Sequence, residues 1–191
     1  AEGLMDAGSI PAASTNFYSL LYNRVMYKIN FFLALAISIN IYANNNYENF
    51  ECYSTDPELG DSAHWAATSI DLFDKNKYKE AVSVVDACFS KFSYHAVVMQ
   101  KKFNNKNTKF PASGRVSRKE REKIHENWAV NDVSVALWSK ARSLEEMGDI
   151  ELAKITYSQC IFLTHGRAWD PKGWFWVPAS DCADRGRKLI Q

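Results

Sequence analysis

Apolar positions recur at intervals of three and four in two stretches of this chain. The first carries Trp65, Leu72, Tyr78, Ala81, Val85 and Cys88; the second carries Leu137, Ala141, Leu144, Ala153, Tyr157 and Cys160. That spacing predicts amphipathic helices. Asn76 and Gly148 interrupt the two runs at the same place, where a residue tolerating a left-handed backbone ends a helix. Small Ala81 and Ala153 let the following helix approach closely. Trp65 and Leu137, Leu72 and Leu144, Asn76 and Gly148, Ala81 and Ala153, Val85 and Tyr157, and Cys88 and Cys160 all stand 72 residues apart. The chain therefore holds an internal repeat of two helical hairpins, over about 62–90 and 134–162. Neither hairpin can bury both its faces alone, so the copies must stack on further helices.

Between the copies, Phe92 to Val133 is expected to be either a degenerate hairpin or a decorated loop. Ser93 to Lys102 can start as a helix, while Asn104, Asn105, Asn107, Pro111 and Gly114 read as a loop. Ser117-Arg118-Lys119-Glu120 is a capping box opening a helix toward Trp128. Asn131 or Asp132 would cap the next helix. Pro178 suits the first turn of a last helix carrying Cys182 to Leu189. No strand pattern emerges, and the expected fold is all-α with six or seven helices.

These residues resemble the tetratricopeptide repeat family, whose 34-residue unit places a large residue early in helix A, a small one further on, a turn, then Ala and an aromatic in helix B. Trp65, Leu72, Tyr78, Ala81 and Val85 match in the first copy, and Leu137, Ala141, Leu144, Gly148, Ala153 and Tyr157 in the second. Ser69 replaces the usual Gly or Ala, Asn76 replaces the turn Gly, and His165 stands near the place of the repeat-ending proline. The resemblance implies a short TPR-like α-solenoid, closed by the Trp-rich C-terminal loop and helix. It also implies a concave face showing Ala66, Ile70, Phe73 and Asp74 from one copy and Trp138, Arg142, Glu145 and Glu146 from the other, a mixture suited to a peptide. The alternative for Ile70 and Phe73 is a place in the core or against the lead-in segment.

Upstream, Met26 to Ala43 reads as a secretory signal: Lys28 in its basic part, an apolar run from Ile29 to Ile39, and Ala43 at the cleavage position. An uncleaved anchor and a buried first helix are the alternatives. Asn30 and Asn40 interrupt the run, which is short of the roughly 20 apolar residues a span requires. Residues 1–25 hold little that a core could use and read as an over-extended reading frame. The expected product is an exported, periplasmic or secreted, single domain over residues 44–191 with no stable membrane span. Lys and Arg number 23 against 22 Asp and Glu, so no global field recruits nucleic acid.

Cys52, Cys88, Cys160 and Cys182 all follow the signal, which in an oxidising compartment suggests up to two disulfides. Free buried thiols at Cys88 and Cys160 are the alternative. Because those two hold equivalent positions on separate hairpins, Cys52 with Cys88 and Cys160 with Cys182 become the candidate pairs.

Arg167 to Pro178 is the densest chemical feature, with Trp169, Trp174, Phe175 and Trp176 in eight residues. Exposed, these rings would stack on a sugar, a peptide or a partner helix. The competing expectation is that the loop folds back to close the stack, burying Trp174 and Trp176, with Arg167 and Asp170 bracing it. From Lys101 to Lys123, nine basic residues face only Glu120 and Glu122, a solvated face or a contact for an anionic envelope polymer or acidic protein patch. No metal-ligand spacing, nucleophile elbow or phosphate loop is present, so neither a cofactor nor a catalytic residue is expected. The expected function is protein or peptide binding in the cell envelope, as adaptor or assembly factor. A glycan-binding accessory protein or envelope enzyme using the Trp169–Trp176 loop, and an immunity-type inhibitor of a toxin, are the alternatives.

Overall fold

The computed structural model describes residues 50–191. The expected signal and the segment before it lie outside the described residues. Six helices are present among these: α1 (Asp61–Asp74), α2 (Tyr78–Asn105), α3 (Arg118–His125), α4 (Trp128–Glu146), α5 (Ile150–Phe162) and α6 (Pro178–Lys188). Strands β1 (Ala168–Asp170) and β2 (Trp174–Trp176) form an antiparallel ribbon between α5 and α6, pairing Ala168 with Trp176 and Asp170 with Trp174. The expectation of no strands is corrected here, because three-residue strands are too short to show alternation.

The two hairpins end their first helices identically. Asn76 (φ 58°) and Gly148 (φ 80°) are both left-handed. Lys77 N donates to Leu72 O at 2.9 Å and Asp149 N to Leu144 O at 2.9 Å, closing the same C-terminal motif 72 residues apart. Asn107 (φ 47°) ends α2 in the same way, with Thr108 N donating to Phe103 O. Residues Phe89 to Lys102, expected to divide into two helices, are one uninterrupted stretch of α2. Buried Ala81, Val84, Val85, Cys88, Phe92, Ala96 and Gln100 keep the helical spacing, and no Gly or Pro breaks it.

Helix α4 lies at the centre, packed on α1, α2, α5 and α6. Small residues permit the closest approach: Ser139 Oγ on α4 donates to Ser69 O on α1 at 2.7 Å. Trp65 fills the space between α1 and α2, its indole N–H donating to Val84 O at 2.8 Å and its ring 5.2 Å from Phe92. This buried indole is satisfied as well as packed, as a core tryptophan must be. Helix α3 begins as expected, Ser117 Oγ accepting from Glu120 N. Helix α4 starts earlier than expected, with Asn127 rather than Asn131 or Asp132 before its first turn. Those two side chains instead tie elements together: Asn131 donates to Ile124 O and accepts from Arg167 N, while Asp132 accepts from Ser62 on α1.

Disulfides join Cys52 to Cys88 and Cys160 to Cys182, the pairs expected from the repeat register. The first fastens the lead-in to α2 and the second fastens α6 to α5. Closing loops of these lengths stabilises a fold by about 3 kcal/mol each in the chain-entropy description.

Candidate functional site

The ends of α1, α4 and α6 bring a group of aromatic and charged side chains onto one face. Phe73 lies 5.3 Å from Trp138, edge to face, and Trp138 lies 5.1 Å from Trp176 of β2 in the same manner. Arg142, one turn beyond Trp138, places its guanidinium 5.0 Å from the Phe73 ring and 5.6 Å from the Trp138 ring. Such contacts stabilise by about 1–2 kcal/mol when partly desolvated. Carboxylates surround the cation: Arg142 pairs with Glu146 at 3.0 Å and lies 3.7 Å from Glu145.

The same network fixes the indole. Trp138 Nε1 donates to Asp181 Oδ2 at 2.6 Å, and Arg185 Nε donates to that oxygen at 2.9 Å. Arg185 also lies 3.7 Å from Glu145, which accepts the Tyr157 hydroxyl. Burial, reinforced by the Glu145 carboxylate, raises the Tyr157 pKa well above the usual tyrosine range, so this hydroxyl stays a donor. Phe73, Trp138, Arg142, Glu145 and Trp176 are thus assembled as one rigid unit. Asp74 is exposed beside it, whereas Ala66, expected on this face, is buried, because α4 packs on α1 too closely to leave it open. Ile70 is half-buried.

The Trp-rich loop neither forms one platform nor closes up as a whole. Side chains alternate across a two-stranded ribbon, so Trp169 and Phe175 share one side, and Trp174 and Trp176 the other. Phe175 is the buried ring; Trp176 is half-buried against Trp138, and Trp174, expected to be buried in the closing arrangement, is exposed. Trp169 meets Phe175 at 4.9 Å and carries Arg121 over its face at 4.4 Å.

Arg167 and Asp170 brace this region as expected. The Arg167 guanidinium donates to the carbonyls of Pro111, Ala112, Thr164 and Gly166, and burial lowers its pKa. Asp170 accepts from the backbone N–H groups of Lys172 and Gly173, shaping the turn. Gly166 is required by proximity, since a Cβ there would stand 2.4 Å from Ser134 Oγ. His165 is likewise structural: Nε2 donates to Thr108 O at 3.0 Å, so Nδ1 accepts from Gln100 Nε2 at 2.9 Å.

Tyr157, Asp181 and Arg185 were not singled out for the site. Tyr157 was visible only as a repeat position, and the i, i+4 pairing of Asp181 with Arg185 looks like any surface helix pair until α6 is docked on α4. Matched against protein-family models, curated proteins and solved structures, the chain finds no counterpart in any of the three.

Proposed function

We infer that this protein is an exported helical-repeat module that binds a basic segment of another envelope protein on the face formed by α1, α4 and α6. Charge orientation on that face carries the reading. The Arg142 side chain is only 14% exposed, while its partner Glu146 is 42% exposed and Asp181 39%. Asp74 adds a further outward carboxylate, and the neighbouring Lys75 is paired with Asp71. The Arg142 cation thus lies inward on the aromatic rings, with the Glu146 and Asp181 carboxylates more exposed around it. Half-buried Phe73, Trp138 and Trp176 supply rigid aromatic area at the centre, the composition of an interaction surface. Lys or Arg side chains of a partner would meet the acidic rim and pack their stems on the rings.

The TPR-like reading is supported by several features. The two hairpins share one terminating motif, and equivalent repeat positions are buried in both copies. Helix α4 packs on both helices of the first hairpin. Export is supported by the two disulfides, which persist in oxidising compartments. In addition, no helix among the described residues is long and apolar enough to cross a membrane.

The test is an array of short Lys/Arg-rich and Asp/Glu-rich peptides probed with the full chain and with a double variant, Asp74→Lys with Glu146→Lys. Both positions are exposed, and because Glu146 pairs with Arg142 a thermal melt of the variant accompanies the array to establish that the fold is retained. Basic peptides should bind in a salt-sensitive manner, with affinity lowered about tenfold or more in the variant. Equal binding of acidic and basic peptides, or binding indifferent to the double reversal, would overturn the reading.

A further inference from the structure

A second aromatic and charged strip runs over α2, α3, the first residue of α4 and the ribbon, and shares no residue with the aromatic face around Trp138. Its fixed point is Trp169, which rests against buried Phe175; Phe175 in turn meets His125 on α3 at 5.7 Å. Arg121, one turn before His125, lies flat enough on the indole to place Cζ 4.4 Å from the ring centroid. No carboxylate among the described residues pairs with it. Of the nine basic residues from Lys101 to Lys123, only Arg118 has such a partner, Glu122. Trp128, three residues past His125, is 43% exposed and continues the strip to His95 at 5.7 Å and Tyr94 beyond it.

We propose that this strip is a binding site for an acidic oligosaccharide, with Arg121 taking a sugar carboxylate and Trp128 taking the apolar face of a sugar ring. A guanidinium stacked on an indole keeps its N–H edge in solvent and loses little freedom when a planar carboxylate bridges two of its donors. Trp169 is 40% exposed and holds that edge in place rather than presenting an open face, since Arg121 already covers it. Trp128 has no such cover and offers the open ring. Lys119 and Lys123, exposed near Arg121 on α3 and without a carboxylate partner among the described residues, add positive charge complementary to a polyanion. A membrane surface is the poorer match, because a guanidinium fixed in one orientation on Trp169 suits a planar carboxylate better than mobile lipid phosphates, and the vesicle arm of the experiment separates the two.

The experiment is calorimetric titration of the full chain with an oligogalacturonate, with its carboxyl-reduced neutral counterpart, and with phosphatidylglycerol-containing vesicles. The acidic oligosaccharide should bind and the reduced one should not. Arg121→Ala should weaken binding about tenfold or more, the value of one charge-assisted pair. Arg121→Lys should recover only part of it, and Trp128→Ala should weaken both the affinity and the accompanying change in tryptophan fluorescence. Asp74→Lys with Glu146→Lys should leave it unchanged, which separates this site from the peptide-binding face. Equal binding of the reduced sugar, retention of affinity in Arg121→Ala, binding to vesicles alone, or no binding to any probe would each overturn the proposal. Thermal melts of the variants exclude unfolding as the cause, because Arg121 and Trp128 are both exposed.

Discussion

Arg142 and Arg121 both rest on tryptophan, yet they do opposite things. Arg142 lies against Phe73 and Trp138 and is claimed by Glu145 and Glu146, in a network that continues through Arg185, Asp181 and Tyr157. Arg121 lies on Trp169 with no carboxylate beside it. The first cation is charge-paired inside the molecule, in a network that joins α6 to α4, although its buried Nε makes no hydrogen bond, and Glu146 is the more exposed member of its pair. The second is held in position and left with its hydrogen-bonding edge unspent. An arginine on an aromatic ring therefore means a fold contact or a ligand contact according to where its counter-charge comes from.

The largest expected effect separates the two directly. Arg142→Ala strips both rings of their cation and leaves Glu145 half-buried with less compensation, which should destabilise the protein by about 2 kcal/mol. Arg121→Ala removes an exposed stacked side chain and should change stability by no more than about 0.5 kcal/mol. Urea unfolding of the two variants beside the parent chain measures the difference. Equal losses would mean that Arg121 is as structural as Arg142.

The helices of the two hairpins were legible because their signals are local and occur twice: a left-handed terminator, a small residue and an apolar spacing, each recurring 72 residues on. The disulfide pairs followed from the same register. The division of α2 was misread because the repeat spacing ended the first hairpin near residue 90 and began a new helix at Ser93, while the helix between Phe89 and Lys102 contains nothing to stop it. The ribbon escaped because pairing between Ala168–Asp170 and Trp174–Trp176 is decided by a turn and by Gly114, whose backbone exchanges two hydrogen bonds with Phe175. That tertiary contact also decides which tryptophan faces which cluster. Phe73, Trp138 and Arg142 were expected on one face through the family resemblance, with a core place for Phe73 as the alternative, but their partners on α6 depend on docking that no local pattern encodes.

Asp132 extends the comparison to carboxylates. Glu145 and Asp181 have cations, whereas Asp132 is half-buried on α4 with only the Ser62 hydroxyl donating to it at 2.6 Å. Burial raises its pKa from 3.8 to about 6, and the Ser62 hydrogen bond offsets only part of that. The folded state therefore holds this proton more tightly than the unfolded chain does. Stability is unaffected by Asp132 below about pH 4, falls as pH rises from about 4 to 6, and stays lowered above that, by about 3 kcal/mol at most. Asp61 acts in the opposite sense: Ser54 N–H and Lys91 lower its pKa, so its contribution is lost as pH falls through the acid range. Asp132→Asn keeps an acceptor for Ser62 and removes the buried charge. It should flatten the decline between pH 4 and 6 and raise the unfolding midpoint at pH 7, leaving the acid limb set by Asp61 in place. Midpoints recorded across this range check both signs. A midpoint lowered at pH 7 by Asp132→Asn would show that the ionised carboxylate has a compensating partner, which would place Asp132 with Glu145 among the neutralised charges rather than with Arg121 among the uncompensated ones.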